Sequence, residues 1–305
     1  MAKGKMMQDV IVIGGSYSGM AAALQLARAH RKVAVVDAGR RRNRFAATSH
    51  GFLTRDGQPP DEIAGLARDQ LLAYPTVTWV DGSATGASGT FDDFRVEVSG
   101  AQDIGARRVI LAHGVRDELP DVPGVAALWG KRIFHCPYCH GYELGKGEIG
   151  VLAVGPLSIH HALMLPDWGR TTFFTNGAME PDADQRRQLA ARGTTVEPEK
   201  VLSVSQNGAG VAVHLADGRD IELAGLFTAP RLHLTSPIAM QLGCAVDRGP
   251  MGETIRTNEM KETTVAGVAA CGDAARPAGN LSLAVADGVM AGAATHRSLM
   301  FDAMR

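Results

Sequence analysis

The sequence predicts an α/β protein of two three-layer units, the second inserted into the first and each carrying a β-meander. Three observations predict it. A short apolar strand runs into a glycine turn and a helix near residue 14, the same order returns near residue 148, and a last strand and long helix from Val265 onward have no third copy to join. At 305 residues the chain has the length of about two domains, each able to bury its own core.

Asp9-Val-Ile-Val-Ile13 is an apolar, β-branched run, followed by Gly14-Gly15-Ser16-Tyr17-Ser18-Gly19 and by Met20-Ala-Ala-Ala-Leu-Gln-Leu-Ala-Arg28. This reads as strand, turn and helix. A second strand, Lys32-Val-Ala-Val-Val-Asp37, ends in an acid about 20 residues after the turn, which completes the βαβ unit of a dinucleotide-binding, Rossmann-like fold. The chemistry needs these parts. A helix N-terminus with free N–H groups faces a pyrophosphate, glycine lets the backbone come close, and the acid holds a ribose hydroxyl. Ser16 stands where a middle glycine is usual, so the pattern is GxSxxG. The basic run Arg40-Arg-Arg-Asn-Arg44 follows Asp37 and reads equally as solvated charge or as phosphate and adenosine contact. Phe94–Val98 and Arg108–Ala112 then form a meander that ends at His113-Gly114.

The second copy runs through Glu148–Val154, a turn at Gly155-Pro-Leu-Ser158, a short helix stopped by Pro166, and strands at Thr171–Thr175, Val211–Leu215 and Leu226–Ala229. Its turn keeps only the first glycine, and Thr175-Asn176-Gly177 offers neither an acid nor an arginine to a ribose. A nicotinamide nucleotide, NADP(H), is therefore doubtful there. Arg170, Arg186 and Arg187 read as a solvated helix face, and His160 and His161 as surface or capping residues. The strand Val265–Ala270, Cys271-Gly272-Asp273 and the helix from about Leu281 to Met300 return to the first unit. The domains expected are residues 1–115 with 246–305, and 116–245.

Charge excludes other classes. Lys and Arg number 31 against 32 Asp and Glu, so no basic footprint for nucleic acid exists. No window approaches 18 uninterrupted apolar residues, and the start has no apolar leader, so we expect a cytoplasmic protein without a membrane segment, with residues 1–6 disordered.

Between the copies lies His135-Cys136-Pro-Tyr-Cys139-His140-Gly-Tyr-Glu143. A C-x-x-C pair can close as a disulfide, and a helix N-terminus or a neighbouring imidazole can bring one thiol to reactivity near neutral pH. His135 and His140 flank the pair as proton carriers. The same residues also spell C-x-x-C-H, the attachment signature of a c-type haem, and could be two ligands of a zinc site, although no second pair at metal-ligand spacing completes one. Two ordinary buried cysteines are the bland reading, and it is the one we give Cys244 and Cys271.

The order of glycine turn, meander, C-x-x-C, altered second turn, second meander and terminal Cys-Gly-Asp resembles, over nearly the whole chain, the low-molecular-weight thioredoxin reductases, flavoproteins with FAD/NAD(P)-binding domains. HCPYCHGYE is most similar to their branch of dithiol oxidases, which close disulfides in gliotoxin, holomycin and romidepsin. The resemblance implies FAD at Gly14 to Gly19, Asp37, Arg42, Asn43, His50, Ala112, Gly272, Asp273, Asn280 and Leu281. It implies that Cys139 faces the flavin and Cys136 exchanges with substrate. The reductases carry Asp after the second cysteine, and His140 here would keep that acid/base role at a pKa nearer neutrality. It further implies a small-molecule or peptide dithiol as substrate, O2 or NADP+ as electron acceptor, and a homodimer. The other function it leaves open is an NADPH-dependent disulfide reductase.

Overall fold

The computed structural model describes residues 7–302; the expectation for residues 1–6 lies outside them. The first unit opens with β1 (Met7–Ile13), α1 (Tyr17–Arg28) and β2 (Val33–Asp37), continues through α2 (Pro60–Leu72) and β3 (Val77–Asp81), and turns back through β4 (Ala84–Thr90), β5 (Asp93–Val98) and β6 (Ile104–Leu111). The chain leaves by β7 (Val115–Glu118), then forms α3 (Val125–Leu128), β8 (Ile133–Phe134), α4 (Pro137–His140), β9 (Lys146–Leu152), α5 (Ser158–Met164), β10 (Gly169–Phe174), α6 (Ala183–Ala191) and β11 (Thr195–Glu197). A meander of β12 (Val201–Asn207), β13 (Gly210–Leu215) and β14 (Asp220–Leu223) precedes β15 (Gly225–Phe227). The return runs through β16 (Arg231–Leu234), α7 (Ile238–Gln241), β17 (Val246–Gly249), β18 (Gly252–Ile255), β19 (Val268–Ala270) and α8 (Leu281–Phe301).

Strand β1 shows why each unit has three layers. Its alternate side chains point to opposite faces. Val10 and Val12 pack with Met20 and Leu26 of α1 and Leu299 of α8, while Ile11 and Ile13 pack with Val96 of the meander, Val109 and Ile238. Both faces are covered there, so the stretch from Val10 to Ile13 is apolar throughout. The sheet runs β3-β2-β1-β6-β5-β4, with β1 parallel to β2 and β6, and β19 parallel to β6. The second unit repeats the logic in a parallel sheet β11-β10-β9-β15-β8. Its meander covers Leu152 and Phe174, and helices α5 and α6 cover Val151 and Phe173 through Ala162 and Leu189.

Helices α1 and α8 lie in close contact because Gly288 carries no side chain: a Cβ there would stand 2.1 Å from the Ser18 carbonyl. The neighbouring Asp287 is buried, and its carboxylate is met by Lys261 Nζ at 2.9 Å and by Arg276 Nη2 at 2.7 Å. A buried charge is tolerated when so paired.

Strands β7 and β16 run antiparallel, Val115 opposite Leu234 and Glu118 opposite Arg231. Ile238, Ala239 and Cys244, which follow β16, share the core of Ile11 and Val96. No helix among the described residues is long and apolar enough to cross a membrane.

Candidate active site: a disulfide beside a dinucleotide cleft

The turn from β1 to α1 is tight. A Cβ on Gly19 would lie 1.8 Å from the Gly14 carbonyl oxygen, so only glycine permits the helix to start there. Gly15 N–H donates to Asp37 Oδ1 at 3.1 Å, tying the acid at the end of β2 to the turn. Ser16 is the N-cap residue, yet its side chain makes no capping bond, and the first N–H groups of α1 are left for another acceptor. Tyr17 is fixed from both sides: its hydroxyl donates to the Pro60 carbonyl at 3.0 Å and accepts from Asn43 Nδ2 at 3.3 Å. Ser18 is buried against Gly272.

From this turn an open cleft extends across the C-terminal ends of the strands, where open α/β sheets bind their ligands. Of the residues singled out in the sequence, Ser16, Tyr17, Ser18, Arg42, Asn43, His50, Ala112, Asp273, Asn280 and Leu281 line it, together with His135, Cys139 and His140. Asn280 caps α8, its side-chain oxygen accepting from Leu283 N–H at 2.8 Å, so a second helix N-terminus opens on the same space. A partly polar cleft on which two helix starts open fits FAD; Gly14, Gly15, Gly19, Asp37 and Gly272 stand behind its lining rather than in it.

Arg42 does more than line the wall. Its guanidinium is bidentate to Asp117, with Nη2 to Oδ1 at 2.6 Å, and Nη1 donates to Asp273 Oδ2 at 2.8 Å. Against the cost of burial, Asp273 and Asp117 hold its pKa above the ordinary arginine value. Arg42 therefore orients Asp273 rather than standing free for phosphate. His50 is likewise engaged, its Nδ1 3.4 Å from Glu143 and its Nε2 3.1 Å from Thr48 Oγ1.

Among the lining residues that escaped the sequence reading are His113 and Thr235. His113 Nδ1–H donates to the Gly114 carbonyl at 3.1 Å, and Nε2 is buried without a partner. Thr235 Oγ1 donates to the His113 carbonyl at 2.7 Å, bracing the wall from the returning chain. The available signal was position alone, since Ala112-His113-Gly114 ends a central strand.

The cysteines are joined, with Cα atoms 5.3 Å apart. Strand β8 delivers them: Ile133 and Phe134 pair with Leu226 and Phe227 of β15, and the chain then turns into α4 with Cys136 as N-cap and Pro137 in the first turn. Cys139 lines the cleft and Cys136 does not. The His140 ring stacks on Phe134 at 4.3 Å and the His135 ring on Trp129 at 5.9 Å. Cys244 and Cys271 are buried, and burial pushes the Cys271 thiol up to about 12.

The expectation for His140 needs correction. Burial, helped by the nearby His50, lowers its pKa to about 4 rather than leaving it near neutrality, so at pH 7 the ring is an uncharged proton acceptor. Burial also lowers His113 and His161 to about 4, and burial together with Arg42 lowers His135. Each group takes a proton more readily unfolded, near 6.5, than folded. The stability carried by these neutral rings is complete above about pH 6.5 and is lost as pH falls toward about 4. Melts between pH 6.5 and 5, above the main carboxylate range, are expected to show a steady loss of Tm; a flat profile would contradict buried neutral imidazoles.

In the second unit the turn has been closed from within. Ser158 Oγ accepts from Val154 N–H at 3.0 Å, and α5 is only seven residues long. Asn176 Oδ1 accepts from Val201 N–H at 2.9 Å, so the end of β10 is also spent on the fold. Arg170, Arg186 and Arg187 pair with Glu148, Glu180 and Asp184. The polar groups of this turn and strand end are bonded within the fold.

Comparison with known proteins supports the architecture. The family of pyridine nucleotide-disulphide oxidoreductases matches residues 8–291. The crystal structure of an oxidoreductase from Agrobacterium tumefaciens is similar with a TM-score of 0.95 and 58% identity, covering 97% of this chain and 99% of that one. That of HlmI follows with a TM-score of 0.90 and 35% identity, covering 100% and 95%. Thioredoxin reductase tcpT of Claviceps purpurea is 33% identical over 307 residues, 96% of this chain and 95% of the relative. The resemblance read from the sequence holds, and the chain belongs to the pyridine nucleotide-disulphide oxidoreductases as a thioredoxin reductase-like, FAD-binding oxidoreductase.

Proposed function

We propose that the protein is a dithiol oxidase that forms an intramolecular disulfide in a small-molecule or peptide substrate. Two S–H bonds of the substrate break and one S–S bond forms, while the Cys136–Cys139 disulfide takes up the two electrons and two protons. Cys136, outside the cleft, exchanges with substrate, and Cys139, on the cleft wall, passes the electrons on. His140, uncharged at neutral pH, accepts a thiol proton. FAD supplies the two-electron acceptor that the thiols lack, held by the α1 turn, Asp37, Asp273 and the start of α8. The final acceptor is O2, giving hydrogen peroxide, or NADP+. Cytoplasmic location and homodimerisation belong to the same proposal.

The observation that carries the oxidase direction is the closed second turn. Pro156 has no N–H, the N–H groups of Ser158 and His160 are bonded to carbonyls of the same turn, and the nearby arginines are paired. That arrangement weakens the case for a reductase fed by NADPH. The test is aerobic: a small dithiol given with catalytic enzyme is expected to become disulfide with uptake of one O2 per bond formed. Steady NADPH consumption on a disulfide, with none on the dithiol, would replace the proposal by the reductase reading.

A further inference from the structure

Two of the chain's four tyrosines, Tyr138 and Tyr142, stand on the redox segment. They are the most exposed aromatic side chains among the described residues, Tyr138 at 73% and Tyr142 at 86%. Tyr138 lies inside the four-residue ring closed by the Cys136–Cys139 disulfide. It is two residues from Cys136, which holds the two Cα atoms within about 7 Å of each other. Its ring does not hang free. It meets Trp168 edge to face, with centroids 5.2 Å apart and planes at 89°. Trp168 in turn packs on Gly141, where a Cβ would fall 2.6 Å from the indole Cδ1. One tryptophan therefore steadies both the end of α4 and the exposed ring that α4 carries. Neither Tyr138 nor Trp168 lines the cleft, so the relay to FAD gives them no part. The charged groups along this segment and beside Trp168 are bonded elsewhere: Glu143 with His50 at 3.4 Å, Lys146 Nζ with the Asp167 carbonyl at 3.2 Å, the Asp167 carboxylate with Arg192 at 2.7 Å, and Glu148 with Arg170.

We propose that Tyr138, propped by Trp168, is the docking platform for the substrate at Cys136, and that it favours an uncharged dithiol carrying a flat ring. The inference rests on Cys136 as the exchanging cysteine. The cleft side of the pair, which Cys139 lines, is the side that fits FAD, so a substrate reaches the half-buried Cys136 from the outer side, where Tyr138 is exposed. A tyrosine ring offers a large, rigid contact area at low cost in conformational entropy, and its π-face pairs with another flat ring in offset or edge-on geometry. With the neighbouring charges bonded elsewhere, the platform supplies no ion pair, and an uncharged partner loses nothing by docking there. A ring seated on Tyr138 brings the sulfur next to it to Cys136, where thiol–disulfide exchange begins.

The test sets two dithiols against each other on the FAD-loaded enzyme in air. Dithiothreitol and benzene-1,2-dimethanethiol each lose two S–H hydrogens and close a six-membered ring through one S–S bond, and only the second carries a flat apolar ring. Tyr138→Ala is expected to raise KM for benzene-1,2-dimethanethiol about fivefold with kcat kept, and to leave both constants for dithiothreitol within about twofold. Tyr138→Leu, which keeps bulk without the aromatic ring, is expected to lose the same factor, and Tyr138→Phe to match the wild type. Equal losses on both dithiols would show that the side chain only props the disulfide and would overturn the proposal, as would an unchanged KM for the aromatic dithiol in the alanine and leucine variants. If the wild type oxidises neither dithiol, the oxidase reading fails by itself, and the exchange step still decides the role of Tyr138. In the Cys139→Ser background, attack of Cys136 on dibenzyl disulfide, relative to bis(2-hydroxyethyl) disulfide, is expected to slow about fivefold on Tyr138→Ala; an unchanged ratio would overturn the inference.

Discussion

Cys139→Ser is expected to lower dithiol turnover by about three orders of magnitude or more while leaving the protein yellow. The reason is the division of labour in the geometry. Cys139 lines the same cleft as Asp273 and the start of α8, whereas Cys136 does not line it, so the serine variant is expected to keep its cofactor and lose the relay to it. Cys136 would remain free in that variant and is expected to attack a small disulfide probe, breaking its S–S bond, holding one half as a mixed disulfide visible by mass and releasing the other half as a thiol. Cys136→Ser should lose turnover equally and trap nothing. Full activity in either variant, or trapping in the second and not in the first, would refute the assignment.

Gly19→Val is the second large effect, and it acts on the other half of the machinery. Its Cβ would fall 1.8 Å from the Gly14 carbonyl, and the nearest neighbours include Val12 Cγ1, so backbone must move at the point where α1 has to face a pyrophosphate. Overpacking costs about 1–3 kcal/mol, occasionally more, and about 3 kcal/mol is roughly a hundredfold in affinity. The expected result is a colourless preparation whose FAD affinity is weaker by about that factor. The Cys136–Cys139 pair, which sits on the second unit, should still close. Normal FAD content in a folded Gly19→Val protein would show that the cleft holds its cofactor elsewhere.

Much of this was legible in the sequence, and the reasons are local. β1 is an apolar run because both of its faces are covered, and the glycine spacing after it encodes a close approach that no other residue allows. C-x-x-C spacing states its own chemistry. What was missed depends on tertiary packing. β3 lies at the sheet edge with no fully buried residue, and α2 buries only Pro60, Ile63, Ala64 and Leu71, so neither shows strong periodicity, although Pro60 with Asp61 and Glu62 is a helix-start signal. The return at β16 is followed by α7, a helix of four residues with no pattern to read. Arg42 was visible, but its partners Asp117 and Asp273 come from elements far along the chain.

The central claim is that electrons enter from a dithiol through Cys136 and Cys139 rather than from a nicotinamide in the second unit. The most direct measurement is anaerobic: a small dithiol, NADPH and NADH are each added separately to the yellow protein while the flavin absorption band is followed. Rapid bleaching by the dithiol alone, with colour restored by air, is the result expected. Rapid bleaching by NADPH, with the dithiol inert, would contradict it and would mean that the turn closed by Ser158 opens to bind nucleotide.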